Sequence, residues 1–262
     1  MHVQHTFYLY NTILIKNREV YNKKYSYKNI FINQNGGTNM EEKNSAIKTR
    51  NELLATKLIK NLQSRKFEAY YCDNAIDAAE KALSLIPESS SVSWGGSVTL
   101  EEIGLIERIY QGNFIIIDRD KAQTMDERYD LMRQSLLCDT YLTSFNAISE
   151  DGVLINIDSV GNRVAAITFG PKNVIAVIGM NKVCKTVEDA VARARTYAAP
   201  INAQRCSSNP FLHPPKKTPC VINGACGNCK AEDCICSYVI ETRMCKTPGR
   251  IKIILVGESL GF

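Results

Sequence analysis

Two groups of residues carry side chains able to do chemistry. The first is a run of cysteines: seven of the ten fall between Cys206 and Cys245. Within it, Cys220, Cys226, Cys229 and Cys236 put four thiolates in one short loop with a CxxC at its centre. Two ligands from one turn and two from the flanking chain can hold zinc or an iron–sulfur cluster, and the spacing matches neither common ferredoxin pattern. Cys206, Cys234 and Cys245 are alternates. The isolated Cys72, Cys138 and Cys184 read as small core residues. A reduced loop without metal is the competing interpretation.

The second group lies between Asn146 and Lys182, where short apolar runs alternate with polar corners. Asn146, Asp151, Asn156, Asp158, Asn162, Arg163, Asn181 and Lys182 collect at those corners. Asn, Asp and Gly are ordinary turn residues. Arg163 and Lys182 add a two-pronged guanidinium and a point charge, which together suit a small carboxylate or phosphate. A further anion site is written at Gly95-Gly96-Ser97, where a strand meets a helix start with free backbone N–H groups. There Thr99 reads as the N-cap with Glu102 completing a capping box, and Val98 with Ile103 as the staple. Glu101 and Glu102 already complement that helix end and would repel an anion. The ligand-binding set is therefore Gly95, Gly96, Ser97, Thr99, Asn146, Asn156, Asn162, Arg163, Asn181 and Lys182. Beyond residue 39 the only histidine is His213, so acid–base work falls to Glu101, Asp151, Asp158 or Lys182. No Walker loop, GxGxxG or HExxH is present, which removes support for nucleotide hydrolysis, standard dinucleotide binding and zincin chemistry.

The elements that must position these residues alternate. Helical spacing runs from Glu41 to Arg65, a strand from Phe67 to Cys72, and a helix from Asn74 to Leu85 capped by Asp73. Strands follow at Ser91–Trp94, Phe114–Ile117 and Tyr141–Thr143, with a helix from Glu127 to Leu137 capped by Asp126. Val153–Ile157, Val164–Thr168 and Val174–Ile178 read as three more strands. A helix from Thr186 to Tyr197 should stop at Ala199-Pro200, and Ile251–Val256 is a last strand inserted back into the sheet. The pattern predicts one Rossmann-like α/β domain, a mixed sheet with flanking helices, over residues 40–262, with a Cys-rich excursion at 206–248 before the last strand.

Composition narrows the function. The formal charge is +5, but residues 1–39 hold five basic residues and one acid, leaving the rest near neutral. That body lacks the basic excess a nucleic-acid partner requires. Residues 1–39 contain no apolar segment long enough for a membrane span or a secretory core. A cytoplasmic, reducing location is expected, which argues against structural disulfides. Gly36-Gly37 shortly before Met40 fits a translated ribosome-binding sequence. Met40 then reads as the start and residues 1–39 as a non-native leader or a disordered tail.

The segment NAIS-DG-L-NID--GNRVA---FGPK-V--V-G-NK resembles the LUD-domain family, the lactate utilisation proteins. The likeness extends to SWGGSVTLEEIGL, AAPINAQR, PCVINGACGNC and ILVGESLGF, about four-fifths of the chain. It implies a fold similar to glucosamine-6-phosphate deaminase, ribose-5-phosphate isomerase and the CoA transferases, and it raises the weight of phosphate binding at Gly95-Gly96-Ser97. It also implies a part in oxidising lactate or another 2-hydroxy acid, alone or with other subunits of a complex. In that setting the four chosen cysteines favour an iron–sulfur cluster, such as the 4Fe–4S type, over zinc. The alternative is a small-molecule enzyme or binding protein for a phosphorylated or carboxylated ligand, with structural cysteines. Expected partners are a small anion, sister subunits and further copies of the chain, with no nucleic acid and no membrane.

Overall fold

The computed structural model describes residues 37–208 and 217–262. Most of the proposed leader, and His213, fall outside them, whereas the proposed start, Met40, falls within the first helix. Helix α1 spans Gly37–Ser64 and is exposed over residues 41–50. The rest of the described chain belongs to the unit Arg50–Phe262.

Six strands form a fully parallel sheet: β1 (Glu68–Cys72), β2 (Ser91–Trp94), β3 (Ile115–Ile117), β4 (Thr140–Thr143), β7 (Asn173–Gly179) and β10 (Ile251–Val256). Their order is β1-β10-β7-β4-β2-β3, so the last strand slots between β1 and β7. Parallel strands covered on both faces need nearly continuous apolar runs, and NVIAVIG and IKIILV supply them. Side-chain alternation then divides each strand between two cores. Val174, Ala176 and Ile178 of β7, with Ile251, Ile253 and Leu255 of β10, face Leu58 and Leu62 of α1. Ile175, Val177, Ile254 and Val256 face the alanines of α2 (Ala75–Ser84) and Leu105 and Ile109 of α4 (Leu105–Gln111). Each such fully buried aliphatic side chain contributes on the order of 1.5–3 kcal/mol.

A smaller mixed sheet, β8-β5-β6-β9, adds β5 (Ala147–Ser149), β6 (Leu154–Asp158), β8 (Val183–Cys184) and β9 (Tyr238–Thr242). The predicted mixed sheet is thus two sheets, one parallel and one containing the antiparallel pairs.

Several expected elements are corrected. Val164–Thr168 is not a strand but part of helix α6 (Asn162–Thr168). A short apolar run fits either element; here Gly161 at φ 87 turns the chain, and Asp158 Oδ2 accepts from Val164 N at 3.0 Å. Three helix caps lie apart from those expected. Asn74 rather than Asp73 caps α2, and Thr124 rather than Asp126 caps α5 (Met125–Gln134). Ser97 rather than Thr99 caps α3 (Val98–Glu102), which ends within five residues before Gly104 at φ 67. The chain also does not stop at Pro200. Helix α7 (Val187–Arg193) passes through a π turn at Ala194–Ala198 into α8 (Ala199–Ser207). Pro200 sits in the first turn of α8, directly after the π turn. Helix α9 (Pro219–Asn223) opens the Cys-rich loop that leads to β9. Among the described residues, no helix is long and apolar enough to cross a membrane.

Candidate functional site

In a parallel sheet, ligands bind beyond the carboxyl ends of the strands, where neighbouring strands send the chain in opposite directions. Adjacent strands β2 and β4 do this, the chain leaving β2 for β3 and reaching β7 beyond β4 through the second sheet. A cavity of about 340 Å³ lies there. Its walls come from the segments after β2 (Gly96–Thr99), β3 (Arg119), β4 (Ser144–Asn146), β7 (Lys182) and β10 (Gly261, Phe262), with α8 adding Asn202, Arg205 and Cys206.

Arg163, in the first turn of α6, is held from several sides. Its Nη2 donates to Asn146 Oδ1 at 3.1 Å and to the Ile157 carbonyl, and its Nε stands 3.9 Å from Asp158 Oδ2. Burial lowers its pKa, and Asp158 opposes that shift. Arg119 packs over Gly96: a Cβ there would lie 2.9 Å from its Nη2 and 3.6 Å from Nη2 of Arg205. A side chain at 96 would push the Arg119 guanidinium aside. Arg119 Nε is buried without a hydrogen-bond partner, 3.9 Å from Asp120 Oδ1. Arg128 fixes the Arg119 turn, donating from Nη1 to the Arg119 carbonyl at 2.9 Å while Nη2 pairs with Asp120 at 2.7 Å.

Lys182 follows β7 in a tight turn and is only 3% exposed. Its Nζ donates to Thr99 Oγ1 at 2.8 Å and Ser144 Oγ at 3.1 Å. Burial, then the charges of Arg193 and Arg163, push its pKa down from 10.5 to about 7, against a weaker pull from Glu102. Arg193 is itself fixed by donating to the Asn146 carbonyl at 2.6 Å. The C-terminal segment closes this side. Glu102 Oε2 accepts from Gly261 N at 2.6 Å, and Asn181 bonds both Leu260 N and the Gly261 carbonyl.

Of the residues expected from sequence, Gly96, Ser97, Thr99, Asn146, Asp158, Asn162, Arg163 and Lys182 line the cavity. Gly95 lies just beneath it, where a Cβ would stand 3.2 Å from Arg163 Cδ and 3.1 Å from the buried Tyr141 hydroxyl. Asn156 and Asn181 act from behind, Asn156 donating to the Ser144 carbonyl at 3.4 Å. Two acid–base candidates lie elsewhere. Glu101 is exposed outside the cavity, and Asp151 pairs with Arg65 at 2.6 Å on the β5–β6 turn. Asp158 is the one side-chain carboxylate in the lining among the described residues, and both its oxygens accept backbone N–H bonds, from Ser159 and Val164. Sequence inspection missed Arg119, Arg128 and Arg205. The only available signal was arginine beside strand ends and in the AAPINAQR segment.

The cysteine loop borders the same cavity through Cys206 and Ile235. Gln204 of α8 anchors it, donating to the Val221 carbonyl at 2.8 Å. None of the ten cysteines is paired in a disulfide. Burial, then Cys234, Cys226 and Cys220, push the Cys236 thiol up to about 12. Cys234 is raised by burial and by Cys229, and its Sγ accepts from Cys236 N at 3.3 Å. Cys234 therefore sits among the four chosen cysteines. Cys245 instead is buried in the main core, donating to the Thr247 carbonyl at 2.8 Å. Among the described residues, no three His, Cys, Asp or Glu side chains are gathered into a ready-made metal site. The donor set still suits a thiophilic ion, because thiol neighbours raise Cys234 and Cys236, and a cation would relieve that opposition.

No curated protein matches the chain. Among solved structures, it is similar to a DUF162 family protein from Deinococcus radiodurans, with 11% identity over 79% of this chain and 98% of that one and a TM-score of 0.44. It also aligns with eIF2B delta from Chaetomium thermophilum, with 15% identity over 50% and 52% of the two chains and a TM-score of 0.30. The family model of the LUD domain matches residues 55–256, from α1 through the last strand of the parallel sheet, and the chain belongs to that family.

Proposed function

We propose that the chain is a lactate-utilisation type of LUD protein that binds a small carboxylate in the cavity and supports oxidation of lactate or another 2-hydroxy acid. One observation carries this reading. Arg119, Arg163, Arg205 and Lys182 line the cavity, with Arg128 paired to Asp120 beside them, and among the described side chains Asp158 is the single carboxylate in the lining, its oxygens accepting from backbone amides. Such a site has charge to spare for an anion, and Arg163 is already oriented by Asn146 and Ile157. Lys182 and the Thr99 and Ser144 hydroxyls form the group able to hold or move a proton beside the bound molecule. Cys220, Cys226, Cys229 and Cys236, with Cys234 among them, would hold the metal, an iron–sulfur cluster or in its place zinc. A bound iron–sulfur cluster would supply one-electron transfer beside the cavity. We place the protein in the cytoplasm beside other subunits of a lactate-oxidising complex, a reading supported by ten unpaired thiols.

Arg119, Arg163 and Arg205 together exceed what one carboxylate needs, and this favours a second reading. The ligand would then be phosphorylated, in a site like those of the sugar-phosphate isomerases, with the cysteines structural. Calorimetric titration of the full chain with lactate, pyruvate, inorganic phosphate and a sugar phosphate separates the two. Lactate or pyruvate should bind, and Arg163→Lys should weaken that binding about tenfold, ~1.4 kcal/mol, because a lysine cannot keep the bonds to Asn146 and Ile157 that orient the guanidinium while also reaching the ligand. Binding of the phosphates alone would select the second reading, and no binding of any probe would remove both.

A further inference from the structure

We propose that Lys182 is a nucleophile that forms a covalent imine with the carbonyl carbon of a 2-oxo acid held in the cavity by its carboxylate. The inference rests on the reading that this cavity takes a small carboxylate, and it names the class: the keto acid, not the hydroxy acid.

Three features of Lys182 carry it. First, a buried lysine normally keeps its charge by pairing with a carboxylate. Lys182 has no carboxylate within ion-pair distance among the described residues; its two partners are the neutral hydroxyls of Thr99 and Ser144. Second, the charged groups facing it favour a free amine. Arg163 of α6 and Arg193 of α7 oppose an added proton, and Glu102 of α3 is the single acid acting the other way. A desolvated amine beside other cations is a recognised route to a nucleophilic lysine at neutral pH. Third, Lys182 lines the same cavity as Arg163, Arg119 and Arg205, so a small 2-oxo acid whose carboxylate sits on the guanidinium groups shares that space with the lysine. Two of the three hydrogen-bonding directions of Nζ are used by hydroxyls; the third carries a proton in the ammonium form and the lone pair in the amine.

The step balances without an oxidant. The amine lone pair forms the N–C2 bond as the carbonyl π pair moves to oxygen, and a proton passes from nitrogen to that oxygen, giving a carbinolamine. The C2–O bond then breaks as the hydroxyl takes a proton and leaves as water, and the nitrogen lone pair forms the iminium double bond. Thr99 and Ser144, 2.8 and 3.1 Å from Nζ, are placed to relay the protons.

The test treats the full chain with pyruvate or glyoxylate and sodium cyanoborohydride, followed by intact mass and peptide mapping. The expected result is one reduced adduct per chain, mapped to Lys182, absent with lactate and lost in Lys182→Met, a variant that urea unfolding shows to be folded. Pyruvate binding to the wild-type chain in an Arg163-dependent way without an adduct would overturn the inference and leave the functional reading standing. Adducts spread over exposed lysines such as Lys185 would likewise overturn it. Absence of both binding and adduct would overturn the inference together with the reading beneath it.

Discussion

Replacing Lys182 with methionine should make the protein more stable in mild acid, by an amount that shrinks as pH rises. The free amine in an unfolded chain keeps its proton to about pH 10.4, whereas the folded site releases it near 7. Between those values the unfolded state binds more protons, so wild-type stability climbs with pH. Below pH 7 both states are protonated, and the full cost of holding a cation inside is present. The fall in pKa from 10.5 to about 7 corresponds to a cost on the order of 5 kcal/mol. The methionine side chain would carry no charge but would lose the bonds to Thr99 and Ser144, about 1 kcal/mol each. The variant should therefore exceed wild type by roughly 2–3 kcal/mol near pH 6. Titration of every other group is common to both chains and cancels in the difference. From about pH 6 to pH 9 the wild type should regain roughly 2.5 kcal/mol, bringing the two to near parity. Urea unfolding at three pH values, extrapolated linearly, measures this gap. A gap that stays constant to within about 0.5 kcal/mol across that range would show that Lys182 does not titrate as argued, whatever its sign.

Further tests address the neighbouring structure. Gly179→Ala should destabilise by about 1–3 kcal/mol in the same assay, because a Cβ would meet Leu260 N at 2.6 Å and Glu258 O at 2.9 Å. It should also weaken pyruvate binding, since the displaced segment carries Gly261 against Thr99 and Lys182. Unchanged stability would mean that Leu260–Phe262 is not firmly docked. Anaerobically purified protein should contain stoichiometric iron, or zinc in its place, that Cys229→Ser loses. Substoichiometric iron and zinc in the wild type, unchanged by that substitution, would end the metal assignment.

Much of the scaffold was legible in the chain because a buried parallel strand leaves a one-dimensional mark. Runs such as NVIAVIG and IKIILV have no polar face and must be covered on both sides. The cysteine spacing was visible for a similar reason, since residues of one loop are close in sequence. What the sequence alone could not determine was anything that depends on partners far along the chain. The run at Val164 became a helix because a turn at Gly161 and the Asp158 carboxylate start one there. The expected capping residues were displaced by polar neighbours, since several side chains near each helix start could serve. Arg119, Arg128 and Arg205 join Arg163 and Lys182 only because parallel crossovers return every strand's carboxyl end to one edge of the sheet. The behaviour of Lys182 was decided at that last level: lysine is charged by default, and burial beside Arg193 and Arg163, against a weaker pull from Glu102, lowers its pKa to about 7.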